Sequence, residues 1–202
     1  MVRLLVGLGN PGAAYQYTRH NLGFWVLDRV CYRLSPRRGA PRQRRAYRGR
    51  YVELEGPRGP VGLLWPETFM NESGRSVAAA RQALGLSPEE ILVVVDDLNL
   101  DPGRIRIRLG GSSGGHRGLM SIEAELGTRT YPRLRVGIGR PPDADAVAYV
   151  LARPPRAEEG FWEEVVGRAA QAVLAVLEEG PEAAMARYNR DEPARCIEDP
   201  NG

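Results

Sequence analysis

The sequence predicts an α/β fold: a single-domain three-layer sandwich with a twisted, mixed but mostly parallel central sheet flanked by helices. Three observations carry this. Short apolar runs at 2–8, 61–65, 91–95 and 134–139 alternate with segments of helical periodicity. Ile91-Leu92-Val93-Val94-Val95 is apolar throughout, as a strand covered on both faces should be. Pro57-Arg58-Gly59-Pro60 separates two strand-like segments and predicts a hairpin, hence an antiparallel pair within the sheet. The 202 residues contain no internal repeat and no linker. They fit one domain over 1–190 and a polar, proline-containing tail over 191–202 that frays.

Taken in order, residues 2–8 form a buried strand that runs into the turn Gly7-Leu8-Gly9-Asn10-Pro11-Gly12. Leu22, Trp25, Val26 and Val30 recur at helical spacing and predict a helix over 20–34. Residues 36–50 are an arginine-rich loop, which leads into a hairpin of strands near 47–55 and over 61–65. An Ala-rich helix over 72–84 is closed by Gly85. Ser87-Pro88-Glu89-Glu90 introduces the central strand at 91–95. Residues 104–109 alternate arginine with apolar residues and predict a half-buried strand with a cationic face. A glycine-rich loop spans 110–118, a helix follows to about 126, and a strand covers 134–139. A long amphipathic helix over 157–179 and a short one over 181–188 complete the domain.

Composition excludes several classes. No apolar run is long enough to span a membrane, and Met1-Val2-Arg3-Leu4-Leu5-Val6 reads as a strand and lacks a signal-peptide layout, so a cytoplasmic protein is expected. Cys31 and Cys196 match no metal-ligand spacing and imply no disulfide framework. All 28 cationic side chains are arginine, which rules out a P-loop lysine and a Schiff-base lysine. A GC-rich coding sequence accounts for most of that bias. The net charge of +3 and the clustering of arginines are compatible with an anionic partner.

There are two histidines, His20 and His116, and both lie in glycine- and asparagine-rich segments. Histidine is the usual general base near neutral pH. Gly7-Leu8-Gly9-Asn10-Pro11-Gly12 matches the G-x-G-x-x-G pattern of dinucleotide folds, with Asp28 at a suggestive distance. The context argues against a nucleotide cofactor: Pro11 and the polar stretch to Thr18 delay the helix whose amino end should meet the pyrophosphate. Asn10 instead stands at the carboxyl end of the first strand, where open α/β sheets place their ligands. Asp96-Asp97 ends the central strand at the same edge, and a carboxylate there suits the task of orienting an imidazole. Asn71 fits either a helix N-cap or a ligand-facing amide. No serine elbow and no cysteine near a histidine offers a nucleophile, so a His–Asp pair among amides points to activated water. Two histidines without a carboxylate cluster make a zinc site unexpected. Arg104, Arg106 and Arg108 share one strand face, and Arg133 and Arg135 extend it, the footprint of a nucleic-acid backbone or else a solvated edge. The loop at 110–118 reads as a lid or binding loop with closely approachable amides.

Six motifs occur together and in order: Gly7-Leu8-Gly9-Asn10-Pro11-Gly12, Thr18-Arg19-His20-Asn21, Thr68-Phe69-Met70-Asn71-Glu72-Ser73-Gly74, Asp96-Asp97-Leu98-Asn99-Leu100, Gly114-Gly115-His116-Arg117-Gly118-Leu119 and Arg133-Leu134-Arg135-Val136-Gly137-Ile138-Gly139. Together they resemble the bacterial peptidyl-tRNA hydrolase family over residues 2 to 190. The resemblance implies a monomeric, metal-free and cofactor-free esterase. Such an enzyme cleaves a peptide from the 3′-terminal ribose of tRNA and recycles tRNA from prematurely released peptidyl-tRNA. It implies His20 as general base for water, Asp96 as its partner, and Asn10 as a contact near the ester that tells a blocked α-amide from a free α-amine. Asn71 would orient substrate or water, and Tyr15 and Phe69 would help form the cleft. His116 and Arg117 would bind substrate, and Arg106, Arg108 and Arg135 would hold phosphates of the acceptor arm near the CCA end.

One position departs from the family pattern. Asparagine often follows the loop histidine, and here Arg117 does. A guanidinium accepts no hydrogen bond, so an accepting role does not carry over, and a contact to phosphate or a substrate carbonyl is expected instead. Two other readings stand beside the hydrolase. One is a non-catalytic RNA-binding protein of the same fold, against which the Asn10, His20, Asn71 and Asp96 set argues. The other is a nucleotide-dependent oxidoreductase.

Overall fold

A computed structural model describes residues 1–35, 41–140 and 145–190. The expected tail at 191–202, and residues 36–40 of the basic segment, lie outside the described residues. The strands are β1 (Leu4–Gly7), β2 (Arg44–Ala46), β3 (Gly49–Gly56), β4 (Gly59–Pro66), β5 (Ile91–Asp97), β6 (Ile105–Arg108) and β7 (Arg133–Gly137). The helices are α1 (Leu22–Leu34), α2 (Ser73–Leu84), α3 (Arg117–Leu126), α4 (Ala146–Leu151), α5 (Glu159–Glu179) and α6 (Pro181–Tyr188).

The strands form one seven-stranded sheet in the order β2-β3-β4-β1-β5-β7-β6. The four central strands, β4, β1, β5 and β7, run parallel. The hairpins β2-β3-β4 add one antiparallel edge, and β6, joined to β7 through α3, pairs with it antiparallel at the other. Alternation along the strands supplies two cores. Leu5, Leu63, Leu92 and Val94 face the layer of α1 and α5. Leu4, Val6, Ile91, Val93 and Val95 face the layer of α2 and α3. This is the expected three-layer sandwich.

Local differences have local causes. Tyr47 and Arg48 form the β2–β3 turn with φ of 55° and 57°, so β3 begins at Gly49 rather than near 47. The strand β2 is three arginine-rich residues and carries no apolar signal, so the basic segment conceals it. At the other edge, Asn189 takes the place of a further strand: its amide accepts from the Ile107 N–H at 2.7 Å and donates to the Ile107 carbonyl at 3.1 Å. An exposed row of unpaired backbone groups is thereby partly sealed.

Two glycines set the placement of α1. A Cβ on Gly23 would strike the backbone of Leu8 and Val94, and a Cβ on Gly7 would strike the backbone of Gly23. The helix backbone therefore rests directly on β1 and β5. The turn that precedes it, Arg19–Asn21, is carried to the carboxyl ends of these strands.

Candidate active site

Asn10 follows β1 by three residues, and Asp96 and Asp97 are the last two residues of β5. The 3-10 turn Arg19–Asn21 holds His20 in front of them, and all four side chains are buried or nearly so. His20 Nδ1 lies 3.1 Å and 3.0 Å from Oδ1 and Oδ2 of Asp96. Asp96 is only 2% exposed, and its Oδ1 lies 3.1 Å from Nε2 of His116. Burial disfavours the Asp96 carboxylate. The attraction of His20 and His116 and the hydrogen bonds from both prevail, and hold the group well below the usual carboxylate range.

The proton positions follow from a helix cap. His116 is the N-cap of α3, and its Nδ1 accepts from the N–H groups of Gly118 at 3.1 Å and Leu119 at 3.4 Å. Backbone amides only donate, so Nδ1 carries a lone pair and the proton sits on Nε2, which donates to Asp96. Asp96 is an acceptor throughout, so Nδ1–H of His20 donates to it. In neutral His20 the Nε2 lone pair is then left facing a cleft of about 330 Å³.

His20, Asp96 and His116 each bring a potential ligand atom to within 4.8 Å of the others. The donor set does not suit a cation. A metal on His116 Nε2 would force the proton onto Nδ1, against the Gly118 and Leu119 N–H groups, or demand an imidazolate.

Asn10 is fixed on three sides. Its N–H donates to Asn21 Oδ1 at 2.8 Å, its carbonyl accepts from Asn21 Nδ2 at 3.0 Å, and its Oδ1 accepts from the Met70 N–H at 2.8 Å. Its Nδ2 is left as a donor toward the cleft. Asn71 is exposed at the rim and caps nothing: α2 begins at Ser73 after a 3-10 turn, with Glu72 at the cap position. The N-cap reading of Asn71 therefore falls. Phe69, 57% exposed, and Arg117, the first residue of α3, also line the cleft, as do Arg135 and Arg140. Arg135 is in ion-pair contact with Asp97 at 2.9 Å.

Other expected residues lie elsewhere. Tyr15 lines neither this cleft nor the groove beside it, where Tyr17 stands instead. Arg106 and Arg108 lie outside the cleft on β6, half-buried and exposed respectively. Arg133 departs from the expected cationic face. It is 1% exposed and donates to the carbonyls of Gly111, Ser112 and Arg129 at 2.8, 3.3 and 2.9 Å, with Glu123 beside it. It anchors the glycine loop from beneath and presents nothing to a phosphate.

The family model for peptidyl-tRNA hydrolase matches residues 4–195. The chain belongs to this family. A peptidyl-tRNA hydrolase of Symbiobacterium thermophilum is 46% identical over 192 residues, covering 94% of this chain and all of the relative. One from Neisseria meningitidis is 44% identical over 177 residues, covering 87% of this chain and 91% of the relative. The crystal structure of peptidyl-tRNA hydrolase from Acinetobacter baumannii superposes with a TM-score of 0.85 at 34% identity, covering 96% of this chain and 97% of that one.

Sequence reasoning gives His116 only a substrate contact and gives Asn21 no role. For this peptidyl-tRNA hydrolase-family chain, both belong to the scaffold of the site. The signal for Asn21 was present: an amide directly beside a candidate base, at the start of an apolar helix, needs a buried partner. Arg140 and the exposed Val147 and Leu151 of α4, which also line the cleft, sit in a stretch without a motif.

Proposed function

We propose that the chain hydrolyses the ester between a peptide and the 3′-terminal ribose of tRNA, using water activated by His20 and no metal. The observation that carries this reading is the His20–Asp96 pair, whose Nε2 opens on a cleft that also presents Asn10 and three arginines.

In this reading His20 Nε2 takes a proton from water as the water oxygen bonds to the ester carbonyl carbon. The imidazolium that forms is stabilised by Asp96, which stays ionised. The C–O bond to ribose then breaks, and the proton passes to the departing 3′ oxygen. General-base assistance of this kind contributes about 10²- to 10⁴-fold. The donor Nδ2 of Asn10 suits a carbonyl of a blocked α-amide. A protonated free α-amine offers only donors, so it finds no partner there. Asn71 orients the water or the substrate from the rim, and Phe69 covers it.

The acceptor arm of tRNA lies on the arginine side. Arg117 supports this placement: a cation in the first turn of a helix opposes the helix dipole, so α3 gains nothing from it. Arg135 and Arg140 continue the rim, and Arg106 and Arg108 extend it along β6.

The test compares N-acetyl-aminoacyl-tRNA with aminoacyl-tRNA, with EDTA present, for the native chain and His20→Ala. Cleavage of the blocked substrate alone, lost in the variant, is expected. Tight tRNA binding without cleavage by either form overturns the reading in favour of an RNA-binding protein.

A further inference from the structure

Arg19, the residue before His20, is only 6% exposed, an unusual place for a guanidinium. Its partners lie at the end of α4 and on the segment that follows. Its N–H donates to the Ala152 carbonyl at 3.2 Å. Nη1 donates to the carbonyls of Ala152 at 3.5 Å and Arg153 at 3.4 Å, and Nη2 lies 3.7 Å from the Glu158 carboxylate. The guanidinium carbon stands 4.3 Å over the centre of the Tyr149 ring. The Tyr149 hydroxyl donates in turn to the Ile138 carbonyl at 2.7 Å, just past β7.

These contacts are a poor return in stability for a buried cation. The side-chain hydrogen bonds are long against about 2.9 Å for a well-formed one. Nε–H is buried and has no hydrogen-bond partner among the described residues. Taking a charge out of water for such bonds stabilises little. The gain is geometric. α4 has six residues, too few to persist as a helix alone, and Val150 is its one buried residue. Val147 and Leu151, four residues apart, present exposed apolar side chains to the cleft, while Tyr149 lies under Arg19. α4 is thus a wall of the cleft that needs an external fastening. That fastening sits one peptide bond from His20.

We propose that Arg19 is a positioning residue: it holds α4 at a fixed distance from His20, so that substrate resting on Val147 and Leu151 brings its ester to the Nε2 lone pair. The inference rests on the proposed hydrolysis. Arg19 itself lines no part of the cleft and acts through α4. The same 3-10 turn carries both residues, so the base and the wall share one mounting. Attack by an aligned water is sensitive to such a mounting, since a displacement of about 1 Å can cost about 10²-fold in rate.

The test is a double-mutant cycle on Arg19→Met and Leu151→Ala, read as kcat and KM for N-acetyl-aminoacyl-tRNA beside thermal melts. Arg19→Met keeps an unbranched stem of similar length. Ala152, Arg153 and Glu158 are exposed or half-buried, so water can replace the lost guanidinium. Arg19→Met is expected to melt near the native temperature and to lower kcat about tenfold or more, with a smaller change in KM. Leu151→Ala is expected to lower kcat/KM in the native chain and to do so by a smaller factor in Arg19→Met, where the wall is no longer held. Should Arg19→Met fail to fold, Arg19→Lys takes its place, since it keeps the charge but not the planar stack on Tyr149. Factors that simply multiply, or an Arg19 variant that loses stability and keeps its kcat, overturn the positioning role while leaving hydrolysis intact. Failure of the native chain to cleave overturns both readings together.

Discussion

His116 donates from Nε2 to Asp96 at 3.1 Å while its Nδ1 caps α3. One ring thus joins the amino end of a helix to the carboxylate that orients His20. The cap fixes the tautomer of His116, His116 fixes Asp96 as an acceptor, and Asp96 fixes the tautomer of neutral His20.

Capping and orientation are separable by substitution. In His116→Asn the amide oxygen still serves as an N-cap, but the N–H toward Asp96 is misplaced. The melting temperature is expected to stay near native while kcat falls. In His116→Ala both are lost, with about 1 kcal/mol of stability gone as well. Thermal melts beside single-turnover rates check this, and equal kcat in the native chain and His116→Asn would remove the orienting role.

Replacing the proposed base, His20, is expected to have a larger effect. His20→Ala is expected to lower kcat by about 10²- to 10⁴-fold with little change in KM, because the ring acts on water and not on bound tRNA. Asp96→Asn should fall in the same range. Steady-state kinetics on N-acetyl-aminoacyl-tRNA decides it.

Asn10→Asp tests the donor. Its Oδ1 can still accept from Met70, so the fold should hold, yet the Nδ2 donor becomes an anion. A loss of about tenfold to a hundredfold in kcat/KM is expected, consistent with the loss of one aimed donor. A free α-amine should gain relative to the blocked substrate, and a ratio of the two rates that does not move would contradict this role.

Acid stability reports on Asp96. Its folded-state pKa lies below the ordinary 3.8, so the charged form contributes stability above that pH, and the contribution is lost as pH falls from there toward the folded value. The gap in urea midpoint between the native chain and Asp96→Asn should be full above pH 3.8 and narrow below it. A constant gap across this range contradicts a stabilising charge on Asp96.

The arginines divide into two kinds. Arg117→Ala is expected to weaken tRNA binding and lower the salt slope of log K by about 0.7–0.9, the loss of one phosphate contact. Arg133→Met should leave that slope untouched and instead lower stability, because the carbonyls of Gly111, Ser112 and Arg129 lose their donor. Binding titrations over a range of salt, paired with melts, separate the two.

The layered fold was readable because Leu92–Val95 and the runs flanking it are apolar on both faces, and only a covered parallel sheet explains that. His20, Asp96 and Asn10 were readable as candidates because each follows or ends a strand at one edge. The His116–Asp96 contact was not, since it depends on where α3 starts relative to β5, and 20 residues separate the pair. Arg133 shares strand parity with Arg135, and parity cannot tell that a loop folds over one of them. Asn71 failed as a cap because a 3-10 turn delays α2 to Ser73.

The contact of α1 with the sheet through Gly7 and Gly23 has an evolutionary consequence. The distance from His20 to Asp96 is set by main chain resting on main chain, not by the size of any core side chain. The apolar interior can therefore drift in volume, losing about 2–5 kcal/mol at a truncated leucine such as Leu63, without displacing the reacting groups. Adaptation of such a protein to heat or cold can proceed through its hydrophobic layers while its turnover chemistry is inherited unaltered, whereas a single methyl group added at Gly23 would push α1 off the backbone of Leu8 and Val94.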